Sequence, residues 1–196
     1  GTSPIPYRAE LNNFAWHNKL NFDLNYSTYR EEPTQIRRII LHLNKFIKLV
    51  FWILLFESMG YLLSLLTQAN IYPWYENLNK SSLTPPGFVF SVVWTFLYAI
   101  LAVIAWILSS CNKESSKKIT ALFALQMLMN WSWTPLFFGL HWLTSSAIWL
   151  ISLTCVNLIL ITEAKKNHKT IAWLLIPYLL WLIFASYLNV VIALVN

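Results

Sequence analysis

Charge is scarce in this sequence. Asp, Glu, Lys and Arg make up 11% of its 196 residues, against 57% hydrophobic residues. A water-soluble domain carries about 25% charged residues, so this composition excludes an ordinary soluble globule. Cysteine is also scarce. Cys111 and Cys155 alone exclude a disulfide framework and a thiolate metal site, and they read as free thiols, one at a helix end and one inside a helix. Histidines stand at 17, 42, 141 and 168, none deep in an apolar stretch, which excludes haem-type ligation; no metal and no resident cofactor is expected. Alternating strand patterns are missing, which excludes a membrane barrel. Residues Gly1 to Glu32 lack the apolar core of a secretory leader.

What is present is five long apolar stretches, at about 46–67, 88–111, 119–140, 143–162 and 171–195. Each is long enough for a helix to cross a hydrocarbon layer of ~30 Å. The expected fold is an all-α membrane protein, a five-transmembrane-helix bundle over residues 46–196 with a long loop between its first two helices. Ahead of the bundle, residues 34–45 place Ile36, Ile39, Ile40 and Leu43 at helical spacing, with Arg37, Arg38, His42 and Lys45 between them. That pattern reads as a basic amphipathic helix at the headgroup level, with a partner-binding helix as the alternative. Residues 1–33 form a polar, Asn-rich arm without a clear period.

The basic residues sort by side. Arg8, Lys19, Arg30, Arg37, Arg38, Lys45 and Lys48 precede or border the first stretch. Lys113, Lys117 and Lys118 follow the second, and Lys165, Lys166 and Lys169 follow the fourth. With an odd number of spans all of these share one side, and only Lys80 lies on the other. The positive-inside rule puts the N-terminus in the cytoplasm, for a bacterial inner membrane or an organellar one. The net charge of +6 is therefore a topology signal directed at membrane lipid, with no nucleic-acid partner.

Polar groups inside hydrocarbon are costly unless they face protein or water, so they mark inward faces. Glu57, Tyr61, Ser64 and Gln68 share one face of the first span. Glu57 reads either as a proton-coupling carboxylate or as a neutral, hydrogen-bonded acid within the bundle. Trp94 and Tyr98 lie four apart in the second span, flanked by Ser91 and Thr95. Gln126, Asn130 and Thr134 line the third, where Trp131 and Trp133 flank Asn130 and Pro135 bends the helix. Asn157 lies near Thr154 and Cys155 in the fourth. Tyr178, Trp181, Ala185 and Asn189, or Leu188 in its place, stack along the fifth. An interfacial aromatic belt accounts for Trp52, Trp106, Trp142, Trp149 and Trp173. Trp94, Trp131 and Trp181 lie with or beside intramembrane amides instead, and flat aromatic walls with a few polar groups suit a large, planar, mostly apolar ligand.

Three blocks of residues resemble one known family. The first is Trp74-Tyr75-x-x-Leu78-x-Lys80 followed by Thr84-Pro85-Pro86-x-x-Val89-Phe90-x-x-Val93-Trp94-Thr95-x-x-Tyr98. The second is Asn130-Trp131-Ser132-Trp133-Thr134-Pro135-Leu136-Phe137-Phe138-Gly139. The third is Pro177-Tyr178-Leu179-x-Trp181-x-x-Phe184-Ala185-x-x-Leu188-Asn189. Their order on a five-span chain is similar to that of the TspO/MBR family, the tryptophan-rich sensory proteins or translocator proteins, also called peripheral-type benzodiazepine receptors. The resemblance covers about residues 46–196.

The resemblance implies a five-helix bundle, a homodimer, and a pocket under the first connection that binds tetrapyrroles such as protoporphyrin IX and drug-like planar molecules. By position it implies a pocket lined by Trp94, Asn130, Trp131, Trp133, Trp181 and Ala185, with Tyr98 beside Trp94 and with Trp74 and Tyr75 from a lid. Lys80 would meet a ligand carboxylate at the mouth, and Pro85 and Pro86 would stiffen the lid. The implied role is sensor, scavenger or transporter. One alternative is an enzyme that degrades porphyrin in light through Trp94 and Trp181, with no other catalytic group expected. A regulatory membrane partner is the other. Ser81, Leu83 and Phe88 depart from the family pattern of proline, aromatic and Trp, which implies a softer lid. No basic residue follows Tyr187, so the cholesterol-recognition pattern is absent.

Overall fold

A computed structural model describes the backbone of residues 7–111 and 114–196, and the side chains of residues 35–111 and 116–196. Five α-helices order it: α1 (Tyr7–Asn70), α2 (Gly87–Ser109), α3 (Glu114–Thr134), α4 (Leu143–Asn167) and α5 (Lys169–Val195). Two π-helical turns, Ile71–Tyr75 and Pro135–Gly139, extend α1 and α3. No strand occurs among the described residues. Helices are what a chain must form where no water can satisfy its amides, because each helix pairs its own N–H and C=O groups.

The chain divides into two units, Gly1–Ile47 and Lys48–Asn196. In the first, Ile36, Ile39, Ile40, Leu43 and Ile47 are all exposed. The side chains of the polar arm expected over residues 1–33, like Lys113, lie outside the described residues; the backbone from Tyr7 belongs to α1.

In the second unit α4 packs most extensively on α5, α3 packs on α4, and α2 packs on α5. Leu101, Ile104, Leu153, Leu160, Leu175 and Leu182 are fully buried at the centre. Outward-facing Phe96, Leu128, Ile148, Ile159, Leu180 and Ile183 are exposed. Such faces would aggregate in water, and a bilayer covers them. Four helical segments are long and apolar enough to span: Gln35–Tyr75, Gly87–Ser109, Leu143–Asn167 and Lys169–Val195. Helix α3 falls short on its own. It starts with Glu114, Lys117 and Lys118, and its α-helical part stops at Thr134; the apolar run continues through Pro135–Gly139.

The α2–α3 and α4–α5 connections meet at one end of this unit. Glu163 accepts from both Lys118 (3.1 Å) and Lys166 (2.9 Å), and Ser116 Oγ lies 3.1 Å from His168 Nε2. Lys80 stands at the other end, in the connection of residues 71–86.

The polar face of α1 is turned differently from the sequence expectation. Tyr61, Ser64 and Gln68 are exposed and do not face the bundle. Ser64 Oγ satisfies itself on its own helix, donating to the Tyr61 carbonyl at 2.7 Å. The inward edge of α1 instead runs through Trp52, Phe56 and Gly60. Trp52 Nε1 donates to Ser109 Oγ (3.2 Å), and Phe56 is 2% exposed against Phe123 and Trp131. A Cβ at Gly60 would lie 2.7 Å from two ring carbons of Tyr98. Glycine is required there because the Tyr98 ring is buried and cannot swing away. Gly→Ala inside a helix ordinarily adds up to about 1 kcal/mol of stability. Here Gly60→Ala is expected to reverse that sign and destabilise by roughly 1–3 kcal/mol through overpacking. Thermal unfolding of the detergent-purified variant checks this; a raised midpoint would refute the close approach.

Candidate ligand-binding site

The predicted pocket residues come together in two clusters that share one wall. The inner cluster centres on Asn130 of α3, which is 4% exposed. Its Oδ1 accepts from the Tyr98 hydroxyl of α2 at 3.0 Å, and its Nδ2 donates to the Tyr178 hydroxyl of α5 at 2.9 Å. One amide thereby ties three helices through two buried phenols. Trp94 lies one turn before Tyr98, its ring 5.4 Å from that of Tyr98 and 6.4 Å, edge-on, from that of Tyr178. Trp181 packs on Phe90 and Phe184, each at 5.6 Å, and half-buried Ala185 follows one turn later on α5.

Trp131 points elsewhere. Its ring meets Phe56 of α1 at 5.7 Å edge-on, so neighbours in sequence serve different walls. The Nε1 atoms of Trp131 and Trp181 are both buried and have no hydrogen-bond partner. Gln126, one turn before Asn130, and Asn157 of α4 are fully buried, and neither amide end of either residue has a partner. A buried donor without an acceptor is costly, more so in hydrocarbon, where no water substitutes.

The outer cluster is built by the two π-helical turns. Pro135 has no N–H and its ring crowds the carbonyl four residues back. The chain widens there, and Leu140 N donates to the Pro135 carbonyl at 2.9 Å, five residues apart. This turn presents Phe137 and Phe138, 2% and 7% exposed, to Trp74 and Tyr75. His141 follows with φ of 57°, a left-handed conformation rare outside glycine. Its ring stacks on Trp74 at 3.8 Å and its Nε2 lies 3.3 Å from Asn70 Oδ1. Trp133 joins the clusters. It stacks on Phe137 at 5.3 Å, packs with the main core, and donates from Nε1 to Asn189 Oδ1 at 2.8 Å. The Asn189 amide in turn reaches Ser146 Oγ at 3.3 Å.

Lys80 is a staple for its own connection. Its Nζ donates to the carbonyls of Tyr75 (2.7 Å), Glu76 (3.0 Å) and Leu78 (3.1 Å) and sits 4.7 Å from the Tyr75 ring centre. All three ammonium donors are taken by backbone, so a ligand carboxylate would have to displace one of them. Ser81, where the family pattern has proline, lies 3.1 Å from the Tyr187 hydroxyl and accepts from Leu83 N at 3.1 Å. Asn196 clasps Asn79 through 2.8 Å and 3.0 Å bonds. Pro86 caps α2 with an extended ψ of 149°, directly after Pro85. The connection is thus bonded to the end of α5 as well as packed against the outer cluster.

Sequence reasoning set Tyr178 and Asn189 on the right face of α5 but did not name them as site residues. Their signal was there, in polar atoms at helical spacing with Trp181. His141 carried no such signal, because a loop histidine at a membrane edge is unremarkable in sequence. Cys111 and Cys155 are free thiols. No group of metal-ligating side chains occurs among the described residues.

Comparison with known proteins matches residues 51–195 to the model of the TspO/MBR family. A tryptophan-rich protein TspO from Archaeoglobus fulgidus is 33% identical over 150 residues, covering 76% of this chain and 97% of that protein. A translocator protein from Bos taurus is 32% identical, covering 66% of this chain and 79% of its own length. Protein CrtK of Rhodobacter capsulatus is 32% identical, covering 59% and 74%.

Two outcomes follow from this geometry. Asn130→Leu strands both phenols and is expected to destabilise by on the order of 1–3 kcal/mol per hydroxyl. Adding Tyr98→Phe and Tyr178→Phe to it should restore most of the loss, since an interaction removed on both sides leaves nothing unpaired; thermal unfolding of the single and triple variants decides. Lys80→Met should leave the bundle folded while raising amide hydrogen exchange over residues 75–81. Unchanged exchange there would show that the ammonium holds nothing in place.

Proposed function

This chain belongs to the TspO/MBR family of integral membrane proteins, and from that premise we propose that it binds a tetrapyrrole, or another large planar apolar molecule, among Trp94, Tyr98, Asn130, Tyr178 and Trp181. The observation that carries the reading is the pairing of aromatic walls with a buried, unsatisfied donor. Trp94 and Tyr178 stand edge-to-face beside the Asn130 amide, while Trp181 Nε1 has no acceptor. A macrocycle offers flat faces to the rings and acceptor atoms to the indole N–H. The rings of the inner cluster are in mutual contact, so a ligand enters by parting them and replaces ring–ring contacts with ring–ligand ones. Trp74, Tyr75, Trp133, Lys80, Pro85 and Pro86 form the cover over that space in this reading.

Its relatives are named as tryptophan-rich, sensory and translocator proteins, not as enzymes. Binding for sensing, scavenging or transport is accordingly the leading role, with light-driven degradation of the ligand through Trp94 and Trp181 as the rival and regulation through a membrane partner as a third. The reading includes a homodimer in the membrane, oriented with the lysine-rich end in the cytoplasm.

Quenching of tryptophan fluorescence by protoporphyrin IX, in detergent and in the dark, is the test. Saturable binding is expected, weakened roughly tenfold or more in Trp94→Ala and in Trp181→Ala, on the order of one to two aromatic contacts. Binding indifferent to both substitutions would overturn the site. Illuminating the complex then separates the roles: stable absorbance supports binding alone, and decay abolished by Trp94→Phe or Trp181→Phe supports the enzyme.

A further inference from the structure

At the lysine-rich end of the bundle a groove of about 400 Å³ is lined by Lys165, Lys169, Ala172, Trp173 and Ile176. It shares no residue with the aromatic clusters, and its floor and walls follow a simple rule. Lys169, Trp173 and Ile176 recur at helical spacing on α5, so the groove runs from two charged residues at the bundle edge down an apolar stripe. Trp173 is 74% exposed, a large aromatic surface with no protein over it.

The charges at this end are not equivalent. Lys118 and Lys166 are both committed to Glu163 at 3.1 Å and 2.9 Å. Lys165 and Lys169 are exposed and have no counter-ion among the described residues. One pair of lysines shares a carboxylate within the protein, and the other is left without one at the mouth of a groove whose depth is apolar.

We propose that this groove is a binding site for an anionic phospholipid of the leaflet at the lysine-rich end. The phosphate lies between Lys165 and Lys169, and an acyl chain runs along Ala172, Trp173 and Ile176. Charge complementarity selects the occupant. A zwitterionic headgroup brings its own cation to a site that already holds two, while an anionic headgroup supplies the missing counter-charge. A soluble anion would leave the apolar stripe uncovered. Trp173 lies one turn from Lys169, at the depth where an indole ring favours the boundary between headgroup and chain. The site does not depend on the tetrapyrrole reading, since it shares no residue with the aromatic clusters.

Native mass spectrometry of the full chain in detergent tests it, titrating phosphatidylglycerol and phosphatidylcholine of identical acyl chains. Phosphatidylglycerol should be retained preferentially, and Lys165→Ala/Lys169→Ala should lower that retention roughly tenfold or more, in keeping with two lysines at a membrane surface. Lys118→Ala/Lys166→Ala removes the same number of charges from the same end and should leave the retention largely intact. Equal retention of the two lipids overturns the proposal. So does equal loss in both double variants, which would mean general attraction to a basic surface.

Discussion

A polar group inside a membrane protein is costly unless the protein itself supplies its partner, and here the bundle is arranged around one such pairing. The Asn130 amide is satisfied only if α2 brings Tyr98 and α5 brings Tyr178 to it at the same time. Tyr98 then presents its ring to Gly60, where the missing side chain lets α1 approach that ring closely. Four helices therefore meet through a single chain of contacts from Gly60 to Tyr178. In the hydrocarbon there is little hydrophobic drive for one helix to prefer another over lipid, so such polar and small-residue contacts set the arrangement that packing then completes.

The two ends of the bundle are closed by different chemistry. One end uses side-chain charge, with Glu163 gathering Lys118 and Lys166 from different helices. The other has little charge and uses the backbone instead. Lys80 holds three carbonyls of its own connection, and the amide of Asn196 holds the connection to the end of α5. The aromatic cluster beneath that connection depends on Pro135, because only a helix forced to widen turns Phe137 and Phe138 toward Trp74 and Tyr75.

Much of this was legible in sequence wherever a polar residue had no local escape. Gln126 and Asn130 each carry both a donor and an acceptor, which a single helix carbonyl cannot satisfy, so the face they share with Thr134 had to be an inner one, and all three are buried. Tyr178 and Asn189 obeyed the same logic. Tyr61, Ser64 and Gln68 showed the same spacing and misled, because a serine hydroxyl can turn back onto its own helix and the face needs no neighbour. The role of Lys80 was illegible for another reason. Its partners are carbonyl oxygens, which every residue has, so no pattern of side chains records them. The separation of Trp131 from Trp133 was hidden as well: adjacent letters in a motif suggest one pocket, while a helix points residues two apart to different sides.

Trp133 belongs to both aromatic clusters, stacked on Phe137 outside and packed with the core inside. A shared wall makes the two regions thermodynamically linked. Any guest that shifts this indole on the inner side changes the stability of the outer cover, and by reciprocity whatever loosens the cover changes the affinity within by the same factor. On the proposed reading, the strength with which a molecule is held and the ease with which the surface above it opens would be coupled through this one ring.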